Sequence, residues 1–246
     1  MDLKNKVALI TGSSRGFGAE IARTFAKYGA KVVITYYSED KSEKLNAEKI
    51  GKETSSELIL PLDVTKRDSV KNVMSTIAKK YGKINILVNN AGINKPNDFD
   101  KQTEEEWNEV LSVDLIGVFL CCQEALPYLS DNGRVINIGS VSGQYGGPRT
   151  PSYAAAKGGV MQLTHCLARF VGHRNITVNC VSPGMIESPM LDNTMPKTLH
   201  NSLFPQVLLK RLGKANEVAE TVAFLASDGA GYITAQTIAV NGGLWV

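Results

Sequence analysis

The stretch VALITGSSRGFGAEIARTFAKYG, residues 7–29, decides the fold. Its beginning is apolar and largely β-branched, which predicts a strand, and its second half carries apolar residues at helical spacing. Three glycines stand between the two parts: Gly12, Gly16 and Gly18. Glycines in this position let the backbone approach a phosphate, whose charge is then met by the free N–H groups at the helix N-terminus. The spacing is GxxxGxG, which also occurs in ordinary tight turns and is therefore weak evidence alone. The location of these glycines at the first strand–helix turn favours a nucleotide site.

Six more short apolar runs follow along the chain. They are VVIT (32–35), ELIL (57–60), INILV (84–88), RVINI (134–138), ITVNC (176–180) and QTIAV (236–240). Runs that are apolar almost throughout are typical of parallel strands buried on both faces, and segments with helical spacing separate them. We therefore predict an α/β fold with one Rossmann-type doubly wound parallel sheet of about seven strands, flanked by helices on both faces. The whole chain, 1–246, is predicted to be a single dinucleotide-binding and catalytic domain.

Capping residues mark the ends of several predicted helices. Gly29, Gly51 and Gly82 follow segments with helical spacing and predict helix stops, because glycine readily adopts the left-handed conformation. Thr103 predicts a helix start, since its hydroxyl can accept a hydrogen bond from a first-turn N–H group.

One long segment, at about 184–214, interrupts the alternation of strands and helices and contains several prolines. An insertion after the carboxyl end of a strand lies where such sheets bind ligands, so we predict a substrate loop or lid there. Its apolar residues either line the cleft or pack the lid onto the core. They are Met190, Leu191, Met195, Leu199, Leu203 and Phe204.

The composition is that of an ordinary globular protein. The chain has 246 residues, of which 43% are apolar and 21% charged, with a net charge of +3. This charge is too small to indicate nucleic-acid binding, no apolar run approaches the ~20 residues of a membrane span, and no signal-peptide pattern is present. The four cysteines form no CxxC pair and no cluster with histidine, which indicates no metal site and suits reduced thiols in or near the core. We expect a soluble, cytoplasmic protein.

Tyr153 and Lys157 stand four residues apart in PSYAAAKGG (151–159), which predicts the start of a helix. The spacing puts both side chains on one helix face, where an ammonium group lowers the pKa of a phenol from ~10 and makes it a better acid–base catalyst. Without further evidence, a tyrosine and a lysine at this spacing more often lie on a solvent-exposed helix face than in an active site. Ser140 changes the balance, because it follows a predicted strand and its hydroxyl can hydrogen-bond a carbonyl group. The absence of a GxSxG motif argues against a serine hydrolase.

Together these features resemble the short-chain dehydrogenase/reductase family along essentially the whole chain. The matching motifs are TGSSRGFG (11–18), Asp63-Val64, NNAG (89–92), the Ser140/Tyr153/Lys157 set and Pro183-Gly184. Within the family, RLGKANEVAETVAFLASD (211–228) and YITAQTIAVNGG (232–243) are most similar to 3-oxoacyl-(acyl-carrier-protein) reductases. The resemblance implies an NAD(P)(H)-dependent oxidoreductase that acts between CH–OH and C=O groups.

The resemblance also implies a role for each catalytic residue. Tyr153 is expected to protonate the carbonyl oxygen in the reductive direction, and Ser140 to orient the carbonyl group. Lys157 is expected to hold the nicotinamide ribose and to lower the pKa of Tyr153. Asp114 stands where the family usually has an asparagine that braces the active-site helix and holds a water. Aspartate has the same shape but only accepts hydrogen bonds when ionised, so it is expected to hold the water or to pair with Lys157 and raise its pKa, with a structural helix residue as the alternative.

A dinucleotide site follows from the same resemblance. Asp63 is expected to contact the adenine, with Val64 behind it, and Asn90 to lie beside the cofactor ribose. Ile186 and Ser188 are expected to hold the carboxamide. The full set is Gly12, Ser14, Arg15, Gly16, Phe17, Gly18, Tyr37, Ser38, Asp63, Val64, Asn90, Ala91, Gly92, Tyr153, Lys157, Pro183, Gly184, Ile186 and Ser188.

The choice between the two nicotinamide dinucleotides can be argued from the residues. A site for NAD usually has an acidic residue at the end of the second strand, which binds the ribose hydroxyls. Here that strand ends in TYYS (35–38), with no acid before Glu39. Arg15 lies in the glycine loop, where a guanidinium suits a phosphate in charge and shape, the alternative being a solvated loop residue. We therefore favour NADP(H) over NAD(H).

These expectations describe an NADPH-dependent carbonyl reductase acting on a ketone such as a 3-oxoacyl thioester. Two alternatives stay open: an NAD(P)-dependent secondary-alcohol or sugar dehydrogenase, and a dinucleotide-binding sensor or scaffold with little turnover. Acyl carrier protein is acidic, and Asp131 stands at about the place where carrier-binding relatives often have a basic residue, although Arg174 keeps a second basic contact. No nucleic-acid or membrane partner is expected. The family usually forms tetramers, so we expect a homotetramer, with a dimer as the alternative.

Overall fold

A parallel sheet forms the centre of the computed structural model, which describes residues 1–37, 40–188, 191 and 196–246. Its seven strands within these residues are β1 (Val7–Ile10), β2 (Lys31–Tyr36), β3 (Leu58–Pro61), β4 (Ile84–Asn89), β5 (Leu129–Ile138), β6 (Thr177–Pro183) and β7 (Thr237–Val240). They are ordered β3-β2-β1-β4-β5-β6-β7, and every neighbouring pair is parallel. Each strand overlaps one of the predicted runs, so the predicted doubly wound sheet is confirmed.

Helices cover both faces of the sheet. In chain order they are α1 (Gly16–Lys27), α2 (Lys41–Glu53), α3 (Arg67–Tyr81), α4 (Glu104–Leu111), α5 (Gly117–Ala125), α6 (Ser142–Tyr145), α7 (Pro151–Val171), α8 (Lys197–Leu203) and α9 (Ala215–Ala226). The apolar side chains of α1, α2 and α9 bury against one face, and those of α3, α5 and α7 against the other. Among the described residues, no helix combines the length and the apolar composition that a membrane crossing requires.

Alternation along the strands explains how both faces are covered. In β1, Leu9 packs into the core under α3, whereas Ala8 and Ile10 pack into the core under α1. Leu87 and Ile86 of β4 divide in the same way. Because successive side chains of a strand point to opposite faces, a strand that is covered on both faces must be apolar throughout. This requirement is why the apolar runs were sufficient to locate the strands.

The capping residues place most helix ends as predicted. The Thr103 side chain caps α4, and Gly29 and Gly82 follow α1 and α3 with φ of +87° and +85°. Glycine adopts this left-handed conformation at little cost, which lets the chain leave the helix. The prediction for Gly51 is wrong, because α2 continues through it. A Cβ at Gly51 would lie 2.4 Å from Cδ1 of Ile59 on β3, so a larger residue would require this side chain to move.

One helical turn between α4 and α5 is wider than the others. Residues Ser112–Ile116 form a π-helix. It connects α4, which precedes it, to α5, which follows it, without a break in the helical backbone. A π-turn holds one more residue than an α-helical turn and often occurs at functional sites. Asp114 lies at its centre and is buried.

The carboxyl ends of β1 and β4 lie side by side, although the chain leaves them toward opposite edges of the sheet. Such a change of direction opens a crevice in which doubly wound sheets bind ligands. Thr11, at the end of β1, joins the two ends: its hydroxyl accepts hydrogen bonds from the backbone N–H groups of Asn90 and Ala91, each at 2.9 Å. The predicted site residues therefore come from loops that meet at one edge.

A small apolar cluster packs the described part of the lid segment on itself and on Leu244 near the end of the chain. Its members are Met185, Leu199, Leu203, Phe204, Val207, Leu212 and Leu244. These contacts do not decide between cleft lining and packing onto the core for Leu199, Leu203 and Phe204, so both alternatives stay predictions. Met190 and Met195 lie outside the described residues.

The cysteines are free thiols. Cys121, Cys122 and Cys180 are buried, and burial raises the pKa of Cys122 to about 12 and that of Cys180 to about 11. Buried thiols of this kind are unreactive. Cys166 is exposed on α7, so the expectation of a position in or near the core is wrong for this residue.

Candidate active site

The glycine loop, residues 12–18, joins β1 to α1 at the carboxyl edge of the sheet. Gly12 and Gly16 have φ of +63° and +56°, which residues with a side chain rarely adopt. Gly18 is required for a different reason: a Cβ there would lie 2.2 Å from the carbonyl oxygen of Gly12 and 2.6 Å from Nδ2 of Asn90. The loop therefore folds tightly onto itself and onto the end of β4.

The N-terminus of α1 has the character of an anion site. Its first N–H groups have no partner within the helix, as at any helix start, and the helix dipole adds a partial positive charge. Arg15 stands at the N-cap, and among the described residues its side chain makes no capping hydrogen bond. Phe17 packs against the apolar core under α1 and fixes the first turn. The residues present fit the pyrophosphate of a dinucleotide, since a close backbone and unpaired N–H groups meet there.

Glu43 on α2 is a residue of this region that the sequence analysis missed. Its carboxylate is buried, with 6% of the residue exposed. Oε1 lies 2.7 Å from Nε of Arg15, and Oε2 accepts a hydrogen bond from the Ser14 hydroxyl. The acid typical of NAD sites stands at the end of the second strand, whereas Glu43 belongs to the first turn of the next helix. A signal was present, because Glu43 shares helical spacing with the buried Ala47 and Ile50.

The loops after β2 and β3 carry the residues predicted for the adenosine half of the cofactor. One oxygen of Asp63 accepts hydrogen bonds from the backbone N–H and the hydroxyl of Thr65, at 2.9 and 2.7 Å, so this carboxylate shapes its own turn. Val64 is buried in the core under α3. Tyr37 is exposed, and Ser38 lies outside the described residues. The predicted contact of Asp63 with adenine stays a prediction.

The NNAG turn after β4 packs directly on the glycine loop. The Asn90 amide donates hydrogen bonds to two backbone carbonyl oxygens at the end of β1, at 2.9 and 3.0 Å. Ala91 lies against Gly12, where an added Cβ would be 3.1 Å from Cα of Ala91. A Cβ at Gly92 would lie 2.8 Å from Oδ2 of Asp114. Asn90 thus braces the loop, and Gly92 leaves room for the Asp114 carboxylate.

The loop after β6 brings Pro183, Gly184, Ile186 and Ser188 to the same edge. Gly184 approaches the backbone of Asn241, to which an added Cβ would be 2.6 Å away. The Ile186 side chain is buried in the core under α1, so a contact with a carboxamide would have to come from its backbone. The Ser188 hydroxyl accepts a hydrogen bond from a backbone N–H three residues later, at 3.2 Å.

Tyr153 and Lys157 lie in the first two turns of α7 and on one face of it. The Lys157 side chain is only 3% exposed. Its Nζ donates a hydrogen bond to the carbonyl oxygen of Ile138 at the end of β5, at 2.9 Å, and lies 5.5 Å from the centre of the Tyr153 ring. The strand end therefore holds the lysine in place, and the lysine faces the tyrosine.

Asp114 reaches the same lysine from the π-turn. Its Oδ2 lies 3.1 Å from Nζ of Lys157, and its Oδ1 accepts a hydrogen bond from the backbone N–H of Ile93 at 2.8 Å. The Asp114 side chain is completely buried. The structure thus brings together the carboxylate and the ammonium group that were expected to pair.

Burial and charge shift three pKa values in this cluster. Burial is the largest single effect and lowers the pKa of Lys157, but Asp114, Tyr153 and Cys180 together outweigh it, so the net pKa is raised. Burial raises the pKa of Asp114, although Lys157 acts in the opposite direction. Burial also raises the pKa of Tyr153, while Lys157 and a hydrogen bond with Ser140 lower it. The predicted effect of Lys157 on Tyr153 is present, but the net direction is opposite to the one predicted because burial dominates.

Ser140 follows β5 and lies in the same pocket. Its hydroxyl accepts a hydrogen bond from the backbone N–H of Ser142 at 3.1 Å. It also forms a side-chain hydrogen bond with Tyr153. The short helix α6 packs on α7 at Gly143, where an added Cβ would lie 2.7 Å from the backbone of Lys157. Only glycine allows this approach, so Gly143 helps to set the distance from Ser140 to the tyrosine. Sequence reasoning missed Gly143, since the contact depends on how two helices pack.

Comparison with known proteins identifies the family. A family model described as enoyl-(acyl carrier protein) reductase matches residues 12–245. The 3-oxoacyl-(acyl-carrier-protein) reductase of Staphylococcus epidermidis is 42% identical over 245 residues, which cover 98% of this chain and 100% of the relative. The reductase of the same name from Escherichia coli is 40% identical over 248 residues and covers 100% of both chains. The chain belongs to the short-chain dehydrogenase/reductase family.

Solved structures agree with this assignment. A short-chain dehydrogenase/reductase double mutant from Serratia marcescens is 31% identical, with a TM-score of 0.91 and 99% of each chain covered. A blue fluorescent protein from a metagenomic library, solved with NADPH, is also 31% identical, with a TM-score of 0.93 and 100% of each chain covered. The protein is therefore an oxidoreductase that acts between CH–OH and C=O groups and depends on a nicotinamide dinucleotide.

Proposed function

We propose that the protein is an NADPH-dependent carbonyl reductase whose substrate is a ketone of the 3-oxoacyl thioester class. The observation that carries the proposal is the meeting of the Tyr153 and Ser140 hydroxyls with the buried Lys157–Asp114 pair, beside the glycine loop. Two hydroxyl donors with a cation behind them suit a carbonyl oxygen that becomes an alkoxide. A sensor or scaffold without turnover would give no reason for this arrangement.

Tyr153 is the proton donor in this proposal. NADPH, when bound, supplies the hydride that the carbonyl carbon receives. The phenol gives its proton to the carbonyl oxygen, to which the Ser140 hydroxyl donates a hydrogen bond. Lys157, kept charged by Asp114, faces the phenolate that results. Burial raises the pKa of Tyr153 above its ordinary value, so the phenol stays protonated at neutral pH, which favours reduction over alcohol oxidation.

NADP(H) is the preferred cofactor in this proposal. The Arg15 side chain is 76% exposed at the N-terminus of α1, and a guanidinium suits a 2′-phosphate in charge and geometry. Arg15→Ala should weaken NADPH binding by about tenfold or more relative to NADH, because a hydrogen bond to a charged group contributes about 1.5–3 kcal/mol. Fluorescence titration of both nucleotides measures this difference. Equal losses for the two would contradict the choice of cofactor.

The substrate class comes from the relatives, two of which carry the name 3-oxoacyl-(acyl-carrier-protein) reductase. Recognition of an acidic carrier protein would require free basic groups near the cleft. Nε of Arg174 already lies 2.9 Å from a carboxylate oxygen of Asp131, which offsets its charge. We therefore expect 3-oxoacyl-CoA thioesters to be reduced about as well as carrier-bound ones.

A substrate panel tests the proposed activity through the loss of NADPH absorbance. The panel contains a 3-oxoacyl-CoA, the matching carrier-bound thioester, a 2-enoyl-CoA and small ketones, together with secondary alcohols and sugars assayed with NADP+ and NAD+. Turnover should be highest with the 3-oxoacyl thioesters and should be lost in Tyr153→Phe, which still binds NADPH. Turnover confined to alcohols or sugars would make the protein a dehydrogenase. Tight NADPH binding without turnover would make it a sensor.

The proposal also includes a homotetramer made of single-domain subunits, 1–246, each with a substrate segment at 184–214. Phe119 on α5 and Phe170 on α7 are 41% and 64% exposed, and both helices cover the same face of the sheet. Large apolar side chains exposed on neighbouring helices favour burial between subunits. Light scattering should give a tetrameric mass, and a monomeric mass would contradict the assembly.

A further inference from the structure

Glu43 occupies the neighbourhood that the proposed function gives to the 2′-phosphate. Its two carboxylate oxygens contact two polar side chains of the glycine loop: Oε1 lies 2.7 Å from Nε of Arg15, and Oε2 accepts from the Ser14 hydroxyl. Arg15 and Ser14 were both predicted to bind cofactor. A buried acid therefore already holds the groups that a phosphate would contact.

We propose that Glu43 is a specificity-determining residue that competes with the 2′-phosphate of NADP(H) and so narrows the preference of this enzyme for NADPH over NADH. The inference rests on the proposed function, in which Arg15 is the phosphate contact. A carboxylate and a phosphate are both acceptors with negative charge, and they repel each other when they share one guanidinium. A ribose hydroxyl, in contrast, can donate to the carboxylate. Glu43 thus disfavours the phosphate of NADPH and accepts the hydroxyl of NADH.

The position of Glu43 is fixed by the start of α2. Asp40 caps this helix by accepting a hydrogen bond from the backbone N–H of Ser42 at 2.8 Å. Glu43 follows in the first turn and packs on the same helix face as Ala47, so its carboxylate is directed by a buried apolar face. A side chain held in this way cannot move into solvent when a phosphate arrives without losing its contacts to the glycine loop.

The surroundings of Arg15 are acidic on a second side. Hydrogen bonds from Ser42 and, to a smaller extent, the charge of Arg15 lower the pKa of Asp40. The ion pair of Arg15 within the described residues is with Glu43, and Asp40 adds only a weak electrostatic interaction before any ligand arrives. The end of β2 supplies no acid before Glu39, so the carboxylate that NAD sites usually take from this strand comes here from the following helix.

Direct binding measurements on Glu43→Gln test the proposal. Glutamine keeps the length and the acceptor for Ser14 but removes the charge. Fluorescence titration should show NADPH binding tightened by about tenfold, equivalent to about 1.4 kcal/mol, with NADH binding unchanged or weakened. Glu48→Gln is the matched control, because it removes the same charge from an exposed position of the same helix and should leave both dissociation constants unchanged. The adenosine fragments 2′,5′-ADP and 5′-AMP, titrated as competitors, should show the same selectivity without the nicotinamide.

Other outcomes overturn the inference in distinguishable ways. Weaker NADPH binding in Glu43→Gln would mean that Glu43 orients Arg15 for the phosphate, and equal changes for both nucleotides would mean a structural role only. In Arg15→Ala/Glu43→Gln the gain for NADPH should vanish. If Arg15→Ala alone fails to discriminate between the nucleotides, the proposed phosphate contact is wrong, whatever Glu43→Gln does. Should Glu43→Gln not fold, Glu43→Met removes the charge at similar length and must give the same tightening of NADPH.

Discussion

Asp114→Asn tests how the buried ion pair contributes to stability and to catalysis. Two unit charges at the 3.1 Å between Oδ2 of Asp114 and Nζ of Lys157 attract each other by about 5 kcal/mol at an effective dielectric constant of ~20. Removing one partner of a buried pair usually costs about 3–5 kcal/mol, because the other charge is left uncompensated. Asparagine keeps an acceptor for the Ile93 N–H, so we expect the free energy of unfolding to fall by about 3 kcal/mol, the lower end of this range. For a chain of this length that loss lowers Tm by about 10 °C.

Thermal unfolding as a function of pH is the assay. The pKa of Lys157 is raised in the folded state because Asp114, Tyr153 and Cys180 together outweigh burial. The contribution of the pair is therefore present between the raised pKa of Asp114 and the ordinary lysine pKa of ~10, and it is lost as the pH rises through the raised lysine value. The Tm difference between the wild type and Asp114→Asn should be largest near neutral pH and should shrink at alkaline pH. Asp131→Asn is the control, since its pair with Arg174 is at the surface and contributes no more than about 1 kcal/mol.

The same variant has a kinetic signature that a purely structural residue would not give. The charge of Asp114 raises the pKa of Tyr153, in addition to burial, and it also raises the pKa of Lys157. Without that charge both values fall, so the alkaline limb of the reductive kcat/KM profile should move to lower pH. A Tm equal to that of Asp131→Asn, together with an unchanged pH profile, would refute the reasoning.

Three further results are expected. Tyr153→Phe should lower kcat for ketone reduction by about a thousandfold with NADPH binding retained, and a loss below about tenfold in steady-state kinetics would exclude it as the general acid. Gly18→Ala places a Cβ 2.2 Å from the carbonyl oxygen of Gly12, so the free energy of unfolding should fall by about 1–3 kcal/mol. Titration should also show a weaker affinity for the dinucleotide. Trp245→Ala removes a ring stacked 5.6 Å from that of Tyr145, so chemical denaturation should show a free energy of unfolding lowered by about 0.5–1.5 kcal/mol. A rise in KM that exceeds the fall in kcat would place the end of the chain at the substrate cleft.

The features predicted well from the sequence are those that short stretches of chain determine. A strand covered on both faces must be apolar at every position, and a loop with φ near +60° favours glycine, so β1 and the glycine loop were visible in one stretch of residues. The spacing of Tyr153 and Lys157 put them on one helix face without any knowledge of the tertiary structure. The placement of Ser140 depended only on its following a strand.

The features that were missed depend on contacts between distant segments. Glu43 reaches the glycine loop because α2 packs beside α1; its helical spacing with Ala47 and Ile50 indicates the buried face but not the partner that it meets there. Gly143 is required because the backbone of α7 lies against it, and a sequence pattern does not show this contact between two helices. The net pKa of Tyr153 was predicted in the wrong direction because its burial is a property of the folded pocket, whereas the nearby lysine could be seen in the sequence.

The π-turn at Ser112–Ile116 has a consequence for how this protein can change in length. One extra residue rotates everything after it by about 100° relative to a regular α-helix. Deletion of a single residue here would let α4 and α5 run on as one regular helix, and the apolar face of α5 and the Asp114 carboxylate could then no longer both meet their partners. A one-residue gap at this place would therefore be more damaging than most side-chain replacements in the core. The extra residue rotates α5 relative to α4, so that Asp114 can face Lys157 while the apolar side chains of α5 face the core.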